Sequence, residues 1–251
     1  MNEVISTTYE AVRILTLNRP EKRNALNDEL IAALKDALRE ADGEESLRCI
    51  VIRGAGKDFC SGADLSSIQK IASATYEENV EDARSLAELF LLIRSVKVPV
   101  IAAVHGRALA GGCGLATACD LVVATKTAQF GYPEVKIGFV PAMVAAILRR
   151  NLGEKKSFEL LTQGFEYTAE EAVGLGLVNR KFDEEGFENA VLDYAGVYTK
   201  VSRSAVEMTK HLLYSIDADT IEAAIEKGVV VNANARMTED CKTGIARFLE
   251  K

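Results

Sequence analysis

Three short runs of apolar residues carry no polar alternation: Cys49-Ile50-Val51-Ile52, Val100–Val104 and Leu121–Ala124. A strand that shows apolar side chains to both faces must be covered on both faces. In a chain where helical stretches separate such strands, this means a mostly parallel sheet with helices packed on it. The intervening stretches fit. Leu30, Ile31, Leu34, Ala37, Leu38 and Ala41 share one helical face, with Asp28 as the expected cap and Gly43 as the stop. Residues Tyr76 to Val96 read as a long amphipathic helix ended by Pro99. Val4–Thr8 and Val12–Leu17 read as a strand pair, and Arg19–Asn24 as a charged loop.

Past Pro141 the strand signal fades, Leu177–Val178 excepted. Helical spacing dominates Phe187–Tyr198, Ala205–Tyr214, Thr220–Ala235 and Glu239–Leu249. The reading is an α/β core over 1–190 and a helical region over 191–251 whose apolar faces call for self-association.

Charge and composition narrow the partners. A net charge of −7 over 251 residues disfavours nucleic acid and anionic membranes, and no apolar run reaches a membrane-spanning length. The opening residues lack the layout of a secretion or transit signal, so the cytoplasm is the expected compartment. Five cysteines without a C-x-x-C pair and two distant histidines, His105 and His211, point away from disulfides and from zinc; no metal or redox cofactor is expected.

The chemistry is expected where strands end in glycines. Ser61-Gly62-Ala63-Asp64-Leu65 follows the 49–53 strand, and Ala110-Gly111-Gly112-Cys113-Gly114 follows the 100–104 strand. Ligands in open α/β sheets sit at such strand ends, and a helix start offers unpaired N–H groups. Taken singly, either turn is better explained by tight strand-to-helix turning or close helix–sheet packing. Neither matches a phosphate loop, a dinucleotide fingerprint or a serine-hydrolase elbow. Aimed together at one oxygen, they form an oxyanion hole. Glu134 follows Pro133 among Phe130, Tyr132, Val135, Ile137 and Phe139. Such surroundings raise a carboxyl pKa and suit proton transfer, although an exposed Glu in a first helical turn fits the local sequence equally well.

In this order and spacing, Asn18–Leu26, Phe59–Leu65, Ala103–Gly106 with Ala110–Gly114, Ala118–Asp120, Phe130–Glu134 and Ala169–Asn179 resemble the crotonase, or enoyl-CoA hydratase/isomerase, superfamily. The resemblance implies a crotonase-like spiral of ββα units, a C-terminal trimerisation region, and a homotrimer or a homohexamer of two trimers. It implies that the N–H groups of Ala63 and Gly111 hold a thioester oxygen while Glu134 moves protons. Lys22, Arg23, Ser61, Asp64 and Leu65 would line the CoA end, with Gly112 and Gly114 also at the substrate; Tyr132, next to the expected site, is read equally as lining the acyl pocket or as core packing.

One departure matters. Typical hydratases carry a glutamate where this chain has Gly114, so a single carboxylate remains. Two enzymatic readings follow, a 2-enoyl-CoA hydratase and a Δ3,Δ2-enoyl-CoA isomerase. A third is a non-catalytic relative that binds CoA thioesters or RNA. The stretches 108–116 and 131–139 also resemble bacterial methylglutaconyl-CoA hydratases, which favours hydration of a branched enoyl-CoA. Asp64 and the Glu77, Glu78, Glu81 stretch are candidates for a second acid. Asp120 and His105 read as structural, and Cys60 and Cys113 as chemically idle.

Overall fold

The computed structural model describes residues 2–250. A first hairpin, β1 (Val4–Tyr9) with β2 (Val12–Leu17), leads through a 3-10 turn at Pro20–Lys22 into α1 (Asp28–Asp42) and β3 (Cys49–Gly54). The cap of α1 is Asn27, whose side chain accepts from the Leu30 N–H at 3.0 Å; Asp28, expected as the cap, sits one residue inside the helix. Then come α2 (Leu65–Ser73), α3 (Tyr76–Ser95), β4 (Val100–Val104), β5 (Arg107–Leu109), α4 (Gly111–Ala118), β6 (Leu121–Thr125) and β7 (Gln129–Gly131). The remainder is α5 (Ala142–Leu152), α6 (Glu154–Gln163), β8 (Glu166–Thr168), α7 (Ala169–Leu175), β9 (Arg180–Phe182), α8 (Phe187–Gly196), α9 (Arg203–Ser215), α10 (Ile221–Met237) and α11 (Glu239–Leu249).

Six strands form the large sheet in the order β1-β2-β3-β4-β6-β9, parallel throughout except for the β1–β2 pair. The unalternated runs in β3, β4 and β6 occupy its centre. Every residue of β4 is buried, as two-sided covering requires. One face packs on α1, α3 and α4; the other carries Val51, Ile101 and Val123 against Phe187 and Val191 of α8. A second sheet, β5-β7-β8, has strands of three residues each. The chain lays one strand in the large sheet and the next in the small one, β4 then β5, β6 then β7. The turns that follow β5 and β7 build the site. The strand expected at Leu177–Val178 is absent. Those residues are buried in the turn after α7, and pairing with β6 begins at Arg180.

The helix α9 is tied to the sheet by a buried ion pair. Lys210 Nζ reaches Asp120 Oδ2 at 2.7 Å and the carbonyls of Ile93 and Val98 at 3.0 and 3.1 Å. Asp120 also accepts from the Val100 N–H and from the Tyr214 hydroxyl, and Arg94 lies 3.7 Å over the Tyr214 ring. Asp120 is thus a satisfied structural carboxylate. No helix among the described residues is long and apolar enough to cross a membrane.

Candidate active site

The two glycine turns are joined by a short ladder. Residues 59–64 run extended between the 23–26 loop and β5. Cys60 N donates to Arg107 O at 3.1 Å and Leu109 N to Cys60 O at 3.0 Å; Leu26 N donates to Gly62 O and Asp64 N to Leu26 O. In a parallel bridge the residue between two bonded groups turns its own N–H to the opposite side. That residue is Ala63, whose N–H has no acceptor among the described residues. Gly111 is the first residue of α4, where helix geometry leaves the N–H without an intrahelical partner. It too has no acceptor among the described residues. Both residues line one cavity of about 660 Å3.

Close backbone approach sets the spacing of the two turns. A Cβ on Gly62, whose φ is +100°, would stand 2.8 Å from the Ala110 Cβ and 3.7 Å from the Gly111 nitrogen. A Cβ on Gly112 would stand 2.2 Å from the Cys60 carbonyl oxygen. Only hydrogen fits there. Ala110 itself holds φ 50° and ψ −127°, a conformation L side chains rarely adopt, and its N–H is pinned to Gly131 O at 2.8 Å. Strain of this kind costs about 1–3 kcal/mol and is kept only where the surroundings enforce it.

Glu134 enters the same cavity from the third turn. Tyr132 is completely buried, and its hydroxyl shares a 2.6 Å hydrogen bond with Thr117 of α4. Pro133 then starts a 3-10 turn, closed by Phe139 N on Glu134 O at 3.0 Å. The half-buried Glu134 carboxyl is pushed above the usual carboxylate range by burial, and its Oε2 has no hydrogen-bond partner among the described residues. Tyr132 was expected either beside the acyl group or in the core. It lies beneath the cavity, bolting the Glu134 turn to the helix that carries Gly111.

The other expected residues divide. Ser61 and Gly114 line the cavity, whereas Gly112 faces Cys60 behind it. Lys22 and Arg23 are exposed on the loop beside Ser61, whose N–H donates to Arg23 O; Leu65 is exposed at the start of α2. Asp64 does not line the cavity and is engaged elsewhere. It caps α2 through Ser66 N and pairs with Arg19 at 2.8 Å. The Ser66 N–H, with Arg19 beside it, holds its carboxyl down at about 2. Glu77, Glu78 and Glu81 face solvent, Glu78 being committed to a capping box with Thr75. Cys60 and Cys113 are buried and pushed up to about 12 by that burial, so neither is a nucleophile near neutral pH. Asp82 of α3, which the sequence reading passed over, lines the cavity. Its spacing of eight residues from Phe90 on one helix face was the available signal.

The cavity thus brings together two N–H groups without acceptors among the described residues, those of Ala63 and Gly111, and the Glu134 carboxyl with its raised pKa. A Cβ on Gly114 would meet the Phe90 ring at 3.0 Å, so an aromatic edge stands where a second carboxylate would begin.

The chain is similar to known proteins over nearly its whole length. The family model described as enoyl-CoA hydratase/isomerase matches residues 7–251. A Thermus thermophilus protein provisionally named an enoyl-CoA hydratase is 40% identical over 96% of this chain and 95% of its own length. The 2,3-dehydroadipyl-CoA hydratase of Escherichia coli is 34% identical over 100% and 97%. A crystal structure of an enoyl-CoA hydratase from Mycobacterium smegmatis superposes with a TM-score of 0.94 at 34% identity, covering 99% of this chain and 96% of the other. The fold is that of the crotonases, and the chain belongs to the enoyl-CoA hydratase/isomerase family.

Proposed function

We propose that this protein hydrates a 2-enoyl-CoA thioester, and dehydrates the product in reverse, with Glu134 as its single acid/base. The observation that carries the proposal is the unpartnered Glu134 oxygen in the cavity that Ala63 and Gly111 line. Glu134 takes a proton from water as the oxygen adds to Cβ. The electron pair of the double bond moves onto the thioester oxygen, where the Ala63 and Gly111 N–H groups hold it. Glu134 then returns the proton to Cα. Atoms and charge balance with one carboxylate, and no metal is needed. The likeness of 108–116 and 131–139 to methylglutaconyl-CoA hydratases supports a branched acyl group. Ser61, with Lys22 and Arg23 beside it, is the proposed approach for the CoA arm.

The absence of a carboxylate at Gly114 favours a second reading, in which Glu134 carries one proton between Cα and Cγ of a 3-enoyl-CoA. The two are separated by substrate. A 2-enoyl-CoA losing its conjugated absorbance with uptake of water marks hydration; a 3-enoyl-CoA gaining that absorbance without water marks isomerisation. Full activity in Glu134→Gln would refute both, and tight binding without turnover of any thioester would leave a non-catalytic relative.

Self-association as a trimer, or a hexamer of two trimers, is proposed through the C-terminal helices of 191–251. Ile221, Ile225 and Val229 form an exposed stripe on α10, and Ile245, Phe248 and Leu249 lie exposed on α11.

A further inference from the structure

The cavity continues past the oxyanion turns along α3. Asp82, Leu86 and Phe90 present one face to it, and Phe90 marks the inner end because its ring meets Gly114. Eight residues separate Phe90 from Asp82, about 12 Å along a helix axis at 1.5 Å per residue. Asp82 therefore lies about two helical turns from the Phe90 end of the cavity. It stands where the tail of an acyl chain would run.

The walls between these points are apolar, with Ile31 of α1 and Ile68 and Ile71 of α2 among them. The outer end is not. Asp82 is joined there by Asp28, which also lines the cavity. The Asp82 carboxyl is pushed upward, first by burial and then by the Asp28 charge. Lys70, 2.9 Å from Asp28, offsets part of the charge at both carboxylates, while Asp82 itself makes no ion pair among the described residues. Lys136 on the opposite wall lays its stem against Gly164.

We infer that Asp82, with Asp28 beside it, makes the acyl end of the cavity select tails without a terminal carboxylate. This rests on the hydratase reading for what enters the cavity, and it narrows the likeness to methylglutaconyl-CoA hydratases to the branching of the acyl group. A terminal carboxylate would have to leave water for a half-apolar wall already carrying like charge, which disfavours it by roughly tenfold or more at an effective dielectric near 20.

The test is binding of two saturated thioesters, octanoyl-CoA and its eight-carbon ω-carboxy counterpart, by titration calorimetry. Saturated chains require no chemistry, so the outcome is independent of whether the protein hydrates anything. Turnover of the matching 2-enoyl-CoA is measured separately, and its failure would sink the hydratase reading alone. Expected is a preference for the octanoyl chain of about tenfold or more, reduced several-fold in Asp82→Asn and inverted in Asp82→Lys. Asp28→Asn should show a smaller reduction, since Asp28 is exposed and paired. Equal or tighter binding of the ω-carboxy thioester by the unaltered protein overturns the inference. So does a preference that Asp82→Asn and Asp82→Lys both leave unchanged, which would trace it to the overall negative charge.

Discussion

Replacing Gly112 by alanine tests the physical core of the site, because it adds one methyl group where the two turns touch. The new Cβ would stand 2.2 Å from the Cys60 carbonyl oxygen, 2.7 Å from Cys60 Sγ and 2.8 Å from the Cys60 carbonyl carbon. Carbon–oxygen contacts settle near 3.3 Å, so the strand carrying Cys60 and the first turn of α4 must part by about 1 Å. Neither side yields easily. Cys60 is fixed by bonds to Arg107 and Leu109, and Ala110 by its bond to Gly131. Ala63 lies three residues beyond Cys60, and Gly111 adjoins the substituted position, so the two donors separate. A misplacement of about 1 Å costs roughly 100-fold, the scale of losing one oxyanion donor, about 10²–10³ in kcat. Overpacking should also cost about 1–3 kcal/mol of stability. The assay is hydration of a short 2-enoyl-CoA, with thermal unfolding followed by circular dichroism. Gly174→Ala is the control, since nothing lies within 4 Å of its Cβ. A Gly112→Ala protein with unaltered melting and near-full kcat would refute the argument that this contact sets the hole.

Three further outcomes are expected. For Glu134, the folded-state pKa is raised above that of the unfolded chain by burial. The folded protein therefore loses stability as pH climbs from the ordinary carboxylate range through the raised value. Glu134→Gln should melt at a higher temperature than the parent at pH 8, with the gap closing toward pH 4, while hydration is lost throughout; an unchanged gap would contradict the burial argument. Lys210→Met leaves Asp120 buried beside two carbonyls that have lost their donor, at a cost of about 3–5 kcal/mol; denaturant unfolding shifted by less than about 1 kcal/mol would argue against the tie. Val229→Glu puts a charge in the α10 stripe and should move the protein to smaller species in sedimentation velocity; an unaltered profile would place the interface elsewhere.

The readable parts of this fold are those whose signal is local. The apolar runs of β3, β4 and β6 announce a two-sided sheet, and the glycines announce close approach. The small sheet was not readable, because Arg107–Leu109, Gln129–Gly131 and Glu166–Thr168 are three residues each and acquire strand geometry only from partners 22 to 39 positions away. Side-chain direction was equally hidden. Nothing adjacent to Tyr132 reveals that its hydroxyl meets Thr117, and nothing adjacent to Asp64 reveals Arg19, 45 positions earlier. For both, proximity in sequence to the expected site was the only available guide. Asp82 went unseen because its cavity is made by α1, α2 and α3 together.

Both proposed oxyanion donors are main-chain groups, and the ladder from Cys60 to Leu109 joins the turns that carry them. Point mutation can therefore recarve the surrounding walls, shortening or charging them, while the electrophilic centre survives untouched. Such a scaffold lets new specificities arise one residue at a time, because the anion-holding geometry belongs to the weave of the backbone and is inherited by any sequence that keeps its few hydrogens-only positions.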